Sequence, residues 1–498
     1  MTSDESSDSL DRRIFLGAGT ATVLGLPTLA QAQQQPGAAS PAPPAPARDG
    51  KTVGEIIADF VTGFELKNVP QPAIDRARVA FIDTVGVMLA GSQLPPADIA
   101  CAVVQLDASA PVATVVGRPL RASPQLAALA NGVAGHCMDF DLTYFAGQSI
   151  AGVIPAILPV AEAQRTSGAD MLSAFIIAAE VAGRVSRSAP GAWRSAGWHS
   201  TGTVGVVAVA AASARLMKVP RDKIPDVIGI TGSLASGVSV NFGSMTKPLH
   251  AGHAARDGVL AALLGARGFT ANPRSLEGKD GYFECFSRGL PWSLEPFDSL
   301  GKTYDLLDYG YKLKPYPCGG LGHTAIDSAL ALRGGVNAED VAHIDVAFTK
   351  YAQRRITSRY PQSAESAKFS GPYLAAYAVV HGAPMLAAFS EEALHDETVR
   401  AMAQKVSLSD YQEYADLLNE SPAKVTVTLK DGRKLEKSEY YPSGSVQNPM
   451  TAAQIKAKFD ICAAQAVEKP VAEKIYATLS TLDDQSSLDD FWPLLRRA

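Results

Sequence analysis

The chain has 498 residues, 47% of them hydrophobic and 19% charged, with a formal net charge of −5. That balance suits a globular enzyme, at a length that on the order of 150 residues per domain would divide into two or three domains. No long basic run interrupts it, which excludes a nucleic-acid footprint or a polybasic membrane patch and leaves a small molecule as the expected partner.

The chain opens with "DRRIFLG" (11–17), where Arg12-Arg13 precedes Phe15-Leu16, a weakly apolar stretch and the small-residue site Ala30-Gln31-Ala32. Residues 1–32 are therefore predicted to be a twin-arginine export signal, handled by the twin-arginine translocase and leaving a periplasmic protein. The tract "QQQPGAASPAPPAPARDG" (33–50) has no apolar periodicity and reads as a disordered linker. Gly17-x-Gly19 lies inside the signal and is not read as a dinucleotide loop.

From Val53 to about residue 290, Ala/Val/Leu-rich segments at 72–90, 124–135, 152–164, 170–184, 204–217 and 254–266 predict helices. They are apolar on most faces and must pack against one another. None is a membrane span, since the apolar run from Val204 to Leu216 is short and carries Arg215, so no membrane partner is expected for the mature form.

The character changes after Tyr311. Ile344, Val346 and Phe348 alternate in "HIDVAFTKY" (343–351), and Val425, Val427 and Leu429 alternate before an Asp431-Gly432 turn, a hairpin signal. Helix returns at 451–464. The expected fold class is mainly α, with a large all-helical domain (51–310 and 446–498) interrupted by a smaller α+β domain (311–445).

The five cysteines are scattered, with no CxxC pair, so no disulfide framework can be read from their spacing and no iron–sulfur cluster is expected. Histidine is scarce, at eight residues, and four of these lie in short Gly-rich junctions. His199 stands before Ser200 and Thr201, good caps for the following helix. Lys247 precedes Pro248 at another helix start, with His250 and His253 three residues apart on nearly one face. No Glu completes a zinc motif there, so no metal is expected. Lys314 precedes a Pro/Gly-rich loop and His323 opens a third helix. Three basic groups at three helix starts imply a polyanionic substrate, because carboxylates need cations and free N–H groups. Lys247 is expected to be an exposed lysine with little part in stability. Asp139, Asp141 and Thr143 alternate in an acidic junction that could orient a histidine or bind a hydroxyl.

Together these stretches resemble the MmgE/PrpD family. The motifs stand in family order: "HCMDFDLTY" (136–144), "GWHSTGTVG" (197–205), "TKPLHAGHAARDGVLAALLGARGF" (246–269), "KPYPCGGLGHTAID" (314–327) and "AKFSGPY" (367–373). The resemblance covers about residues 53–465. It implies a helical domain interrupted by an α+β lid, a homodimer, an active site in the cleft and no metal or organic cofactor. It also implies site positions at Asp139, Thr143, His199, Lys247, Lys314 and Tyr373.

The chain departs from the decarboxylase-like pattern in three places. Leu142 replaces an Asp, Gln148 or Ser149 stands in place of a proton-donating histidine, and Gly319 lies where a second histidine is expected. The expected activity is cofactor-independent removal of a proton α to a carboxylate of a small di- or tricarboxylate, as in a 2-methylcitrate dehydratase-like hydro-lyase. Asp139, His199, Lys247 and Tyr373 are the expected catalytic residues, and Thr143, Lys314, His250 and His323 the expected substrate contacts. The alternatives are a dicarboxylate epimerase, a decarboxylase, or a periplasmic polycarboxylate-binding protein without turnover.

Overall fold

Alanine- and valine-rich segments bounded by Pro and Gly give a bundle of helices in the computed structural model, which describes residues 50–145, 147–417 and 420–496. The signal expected at 1–32 and all but the last residue of the linker at 33–50 lie outside the described residues. Helix accounts for 57% of the structure and strand for 10%, so the chain is mainly α. Among the described residues no single helix is long and apolar enough to cross a membrane.

Helix Gly168–Ser188 is buried along nearly its whole length and opened by a Ser167/Asp170 capping box. Helices Gln71–Gly91, Val153–Gln164 and Ser200–Leu216 pack around it. Helix Thr246–Ala266 begins well before the apolar stretch expected at 254–266, because Pro248 is accommodated in its first turn. It crosses Pro124–His136 where Gly132 and Gly252 meet; a Cβ on Gly132 would come within 2.6 Å of the Gly252 Cα. That close crossing brings the start of one helix, carrying Lys247, beside the end of the other, from which Asp139 follows.

One apolar cluster runs from Val53 to Leu313 and resumes at Phe459 through Leu495; a second spans Tyr316 to Leu429. The second surrounds a four-stranded sheet in the spatial order Val406–Asp410, Val341–Phe348, Ala423–Leu429, Lys434–Glu439, the first pair parallel and the others antiparallel. Ile344, Val346, Phe348, Val425, Val427 and Leu429 are all buried, as their alternation requires. The hairpin pairs Thr428 with Lys434 around Gly432, whose φ of +87° explains the glycine. A separate two-pair ladder joins Thr143–Tyr144 to Tyr311–Lys312, in the register Thr143↔Lys312 and Tyr144↔Tyr311. All five cysteine thiols are free, and only Cys285 is exposed.

Candidate active site

After helix Pro124–His136 the chain turns through residues 137–141, and distant lysines hold the turn by its carbonyls. Lys368 donates to the Cys137 oxygen at 3.0 Å, Lys314 to that of Asp139 at 2.9 Å and Lys458 to that of Phe140 at 2.8 Å. Lys458 is itself paired with buried Asp83 at 2.6 Å. These contacts fix Asp139 at φ +54°, a left-handed conformation that aspartate tolerates better than most residues.

The Asp139 carboxylate faces two ammoniums, Lys247 Nζ at 2.7 Å and Lys314 Nζ at 2.9 Å, and accepts from Gln148 Nε2 at 2.5 Å. Burial alone would push its carboxyl up. The two lysines outweigh burial and hold it well below the usual carboxylate range. At the cavity wall two ammoniums thus share the Asp139 carboxylate, while the Asp141 carboxylate, bonded to His136, lies behind it. Lys247 is only 6% exposed, which corrects the expectation of an exposed lysine: the turn at 137–141 packs over the helix start and covers it. Burial pulls its ammonium below the ordinary lysine value, Asp139 opposes that and Lys314 adds to it.

The histidines divide by their partners. Helix Ser200–Leu216 starts one residue after His199, so His199, rather than Ser200 or Thr201, is its N-cap residue, without a side-chain cap bond. The Thr201 hydroxyl donates to the Gln148 carbonyl at 2.9 Å and so must accept from His199 Nε2 at 3.0 Å. His199 Nδ1 is then the lone pair that accepts the Nδ1–H of His250, 3.0 Å away. Burial, followed by His136 and Lys247, holds His199 well below the usual histidine value, so it is neutral with both nitrogens engaged inside the protein. His250 stands behind it, pulled down to about 4 mainly by burial. His253 turns away to Asp257 at 3.0 Å. His323 Nε2 lies 3.3 Å from the Cys318 carbonyl, which can only accept, so a neutral His323 keeps its lone pair on Nδ1. Burial, then Lys314, pulls His323 down to about 3.

Asp139, Thr143, His199, Lys247, Lys314 and His323 all line one cavity of about 530 Å³. The structure does not bring Tyr373 there: its hydroxyl donates to the Ala388 carbonyl at 2.5 Å, and its ring is fully buried against Tyr360 and Tyr377. Arg355, which sequence reasoning missed, is half-buried in the cavity wall with its guanidinium 5.5 Å from the Phe242 ring centre and no carboxylate paired to it among the described residues. Lys247 Nζ lies 5.8 Å from the same centre. Gln148 lines the cavity, whereas Ser149 is buried and donates to the Tyr144 carbonyl, so a neutral amide occupies the wall beside Asp139. His136 stacks on His199 at 5.6 Å and bonds Asp141 at 2.9 Å. Ligand atoms of His136, Asp139 and Asp141 lie within 4.8 Å of one another. A divalent cation there would face the ammoniums of Lys247 and Lys314, which already neutralise Asp139, so this donor set suits hydrogen bonding rather than metal binding.

Residues 55–295 match the MmgE/PrpD N-terminal domain and residues 316–484 the MmgE/PrpD C-terminal domain. A cis-aconitate decarboxylase of Homo sapiens is 27% identical over 459 residues, covering 90% of this chain and 95% of the relative. One from Mus musculus is 26% identical over 450 residues, covering 87% and 91%. One from Aspergillus terreus is 25% identical over 467 residues, covering 88% and 94%.

Proposed function

The chain belongs to the MmgE/PrpD family, and from that premise we propose a cofactor-independent lyase that removes a proton α to a carboxylate of a small di- or tricarboxylate, most simply a hydro-lyase. The observation that carries the reading is the excess of cations in the cavity lining, where Lys247 and Lys314 share Asp139 and Arg355 has no carboxylate partner among the described residues. An anion with two or three carboxylates balances that charge, and the starts of helices Ser200–Leu216 and His323–Arg333 add free N–H groups beside it.

Burial holds His323 neutral, as a base must be, and lowers the Lys247 ammonium below its ordinary value, which makes it a readier proton donor. His323 Nδ1 takes the α-proton, and the bound carboxylates raise its basicity on arrival. The electron pair left on the α-carbon spreads into the carboxylate held by Lys314 and then forms the double bond. The β-hydroxyl leaves with a proton from Lys247 as water. His199, with Thr201 and His250, holds the wall that carries Gln148 rather than moving the proton.

Decarboxylation is the second reading, favoured by the names of the relatives. The same ammoniums would stabilise the carbanion left by carbon dioxide, and Gln148 could not protonate it, which leaves Lys247 as donor.

Proton NMR in deuterated water with 2-methylcitrate, citrate, cis-aconitate, malate and aminodicarboxylates tests the reading. The expected result is deuterium at the α-carbon with an unsaturated product. Loss of carbon dioxide would select the second reading, and exchange with inversion alone an epimerase. Thermal stabilisation by these anions with no exchange would overturn the enzyme reading in favour of a binding protein. The "DRRIFLG" stretch supports periplasmic export: replacing Arg12-Arg13 by Lys-Lys should retain the protein in the cytoplasm, and undiminished export would contradict it. A homodimer is the assembly proposed on family grounds, and light scattering checks it.

A further inference from the structure

The ladder between Thr143–Tyr144 and Tyr311–Lys312 orders the cavity along its length. On one side of it the strands lead to Asp139 and Lys314, the charged end. On the other they lead to Phe145 and Tyr309, and the antiparallel register puts these two on the same side, with ring centres 5.1 Å apart. Arg187 lies over the Tyr309 ring at 5.1 Å and is fixed at 2.9 Å by Asp305, so the three form one continuous wall. Trp198 also lines the cavity. Its ring packs against Phe286 at 4.9 Å, and its buried indole N–H has no partner among the described residues.

A cavity of about 530 Å³ lies in the range of ~300–1,000 Å³ that holds drug-sized ligands. A bare four- or six-carbon acid gathered around Lys247, Lys314 and Arg355 fills only the charged end. We propose that the aromatic arm formed by Phe145, Tyr309 and Trp198 is a second subsite, and that the substrate is a polycarboxylate bearing an apolar or aromatic substituent of several carbons. This rests on the polycarboxylate reading above and narrows it. The substituent lies against the Phe145 and Tyr309 rings, and a hydrogen-bond acceptor on it can take the Trp198 N–H.

Calorimetry on the purified protein with succinate and 2-benzylsuccinate separates the two claims. Benzylsuccinate should bind tighter than succinate by about tenfold or more, from the apolar area its ring removes from water. The Phe145→Ala and Tyr309→Ala variants should bring that ratio close to one, whereas Arg355→Ala should weaken both ligands alike and keep the ratio. Equal or weaker binding of benzylsuccinate, or a ratio indifferent to Phe145→Ala and Tyr309→Ala, would overturn the subsite and leave the polycarboxylate reading standing. Binding of neither ligand would overturn both.

Discussion

Two buried ionic clusters in the helical bundle use the same ingredients in different proportions. In the first, Arg184 pairs with Glu180 at 3.1 Å and with Asp305, and Arg187 meets Asp305 at 2.9 Å, so two cations meet two carboxylates. Glu180 also accepts the backbone N–H groups of Asp305 and Leu306, and Arg184 donates to the Thr303 carbonyl at 2.8 Å. Glu180, Arg184 and Asp305 are fully enclosed by protein. In the second, two lysines meet one carboxylate at a cavity wall. A cluster enclosed by protein joins elements of the fold, whereas one that lines a cavity is left for a ligand to complete.

The largest expected effect breaks the first cluster. Arg184→Ala leaves Glu180 and Asp305 buried without their shared partner and should lower stability by about 3–5 kcal/mol, with kcat/KM per folded molecule little changed. Chemical denaturation checks it; a variant as stable as the parent would make the cluster dispensable. Lys247→Ala should do the reverse. Asp139 keeps Lys314, so stability falls less than in Arg184→Ala, while loss of a charge-assisted contact of about 1.5–3 kcal/mol lowers kcat/KM roughly ten- to hundredfold. Steady-state kinetics beside a melting curve reads both, and a stability loss as large as that of Arg184→Ala with intact kinetics would merge the two clusters into one structural class.

Acidification sharpens the contrast through His323. Its value of about 3 in the folded protein lies below the ordinary 6.5, so the unfolded chain binds more protons between those values. The stability that neutral His323 contributes is present above 6.5 and is lost as pH falls toward 3. Glu180, pushed up to about 7 by burial, works in the opposite direction, so the comparison must be made between variants. At pH 5, His323→Gln should be spared on the order of 2 kcal/mol of the acid destabilisation that the parent suffers, and parallel stability–pH curves would contradict the assigned neutral state. The smallest expected effect is at Arg355. Arg355→Ala should raise KM about tenfold with kcat little altered and leave the melting temperature nearly unmoved, because no carboxylate among the described residues is paired to it.

The helical architecture and the hairpin were legible because periodicity is local: Ile344, Val346 and Phe348 alternate in sequence and are buried together in space. Asp139, His199, Lys247, Lys314 and His323 were legible for a related reason, since they sit at Gly- and Pro-marked junctions beside helix ends, where polar side chains can face a cavity. What those junctions meet was not legible. Lys247 looked solvated because nothing near it in sequence announces the turn at 137–141, more than a hundred residues earlier, that buries it. The pairing of His199 with His250 spans 51 residues and occupies the ring nitrogen that Thr201 leaves. Arg355 lies in "YAQRRIT" (351–357), where its neighbour Arg354 is exposed and only the tertiary fold tells the two apart. Tyr373 was reached through family resemblance, and its hydroxyl is spent on the Ala388 carbonyl.

A crystal structure with tricarballylate, a tricarboxylate without a leaving hydroxyl, tests the cationic cavity lining around Asp139 most directly. The expected result places one carboxylate within hydrogen-bond distance of Lys247 or Lys314 and a second on Arg355, with the Arg184 cluster unchanged. Tricarballylate bound away from these three cations, or absent at saturating concentration while Lys247 and Lys314 remain closed on Asp139, would contradict it.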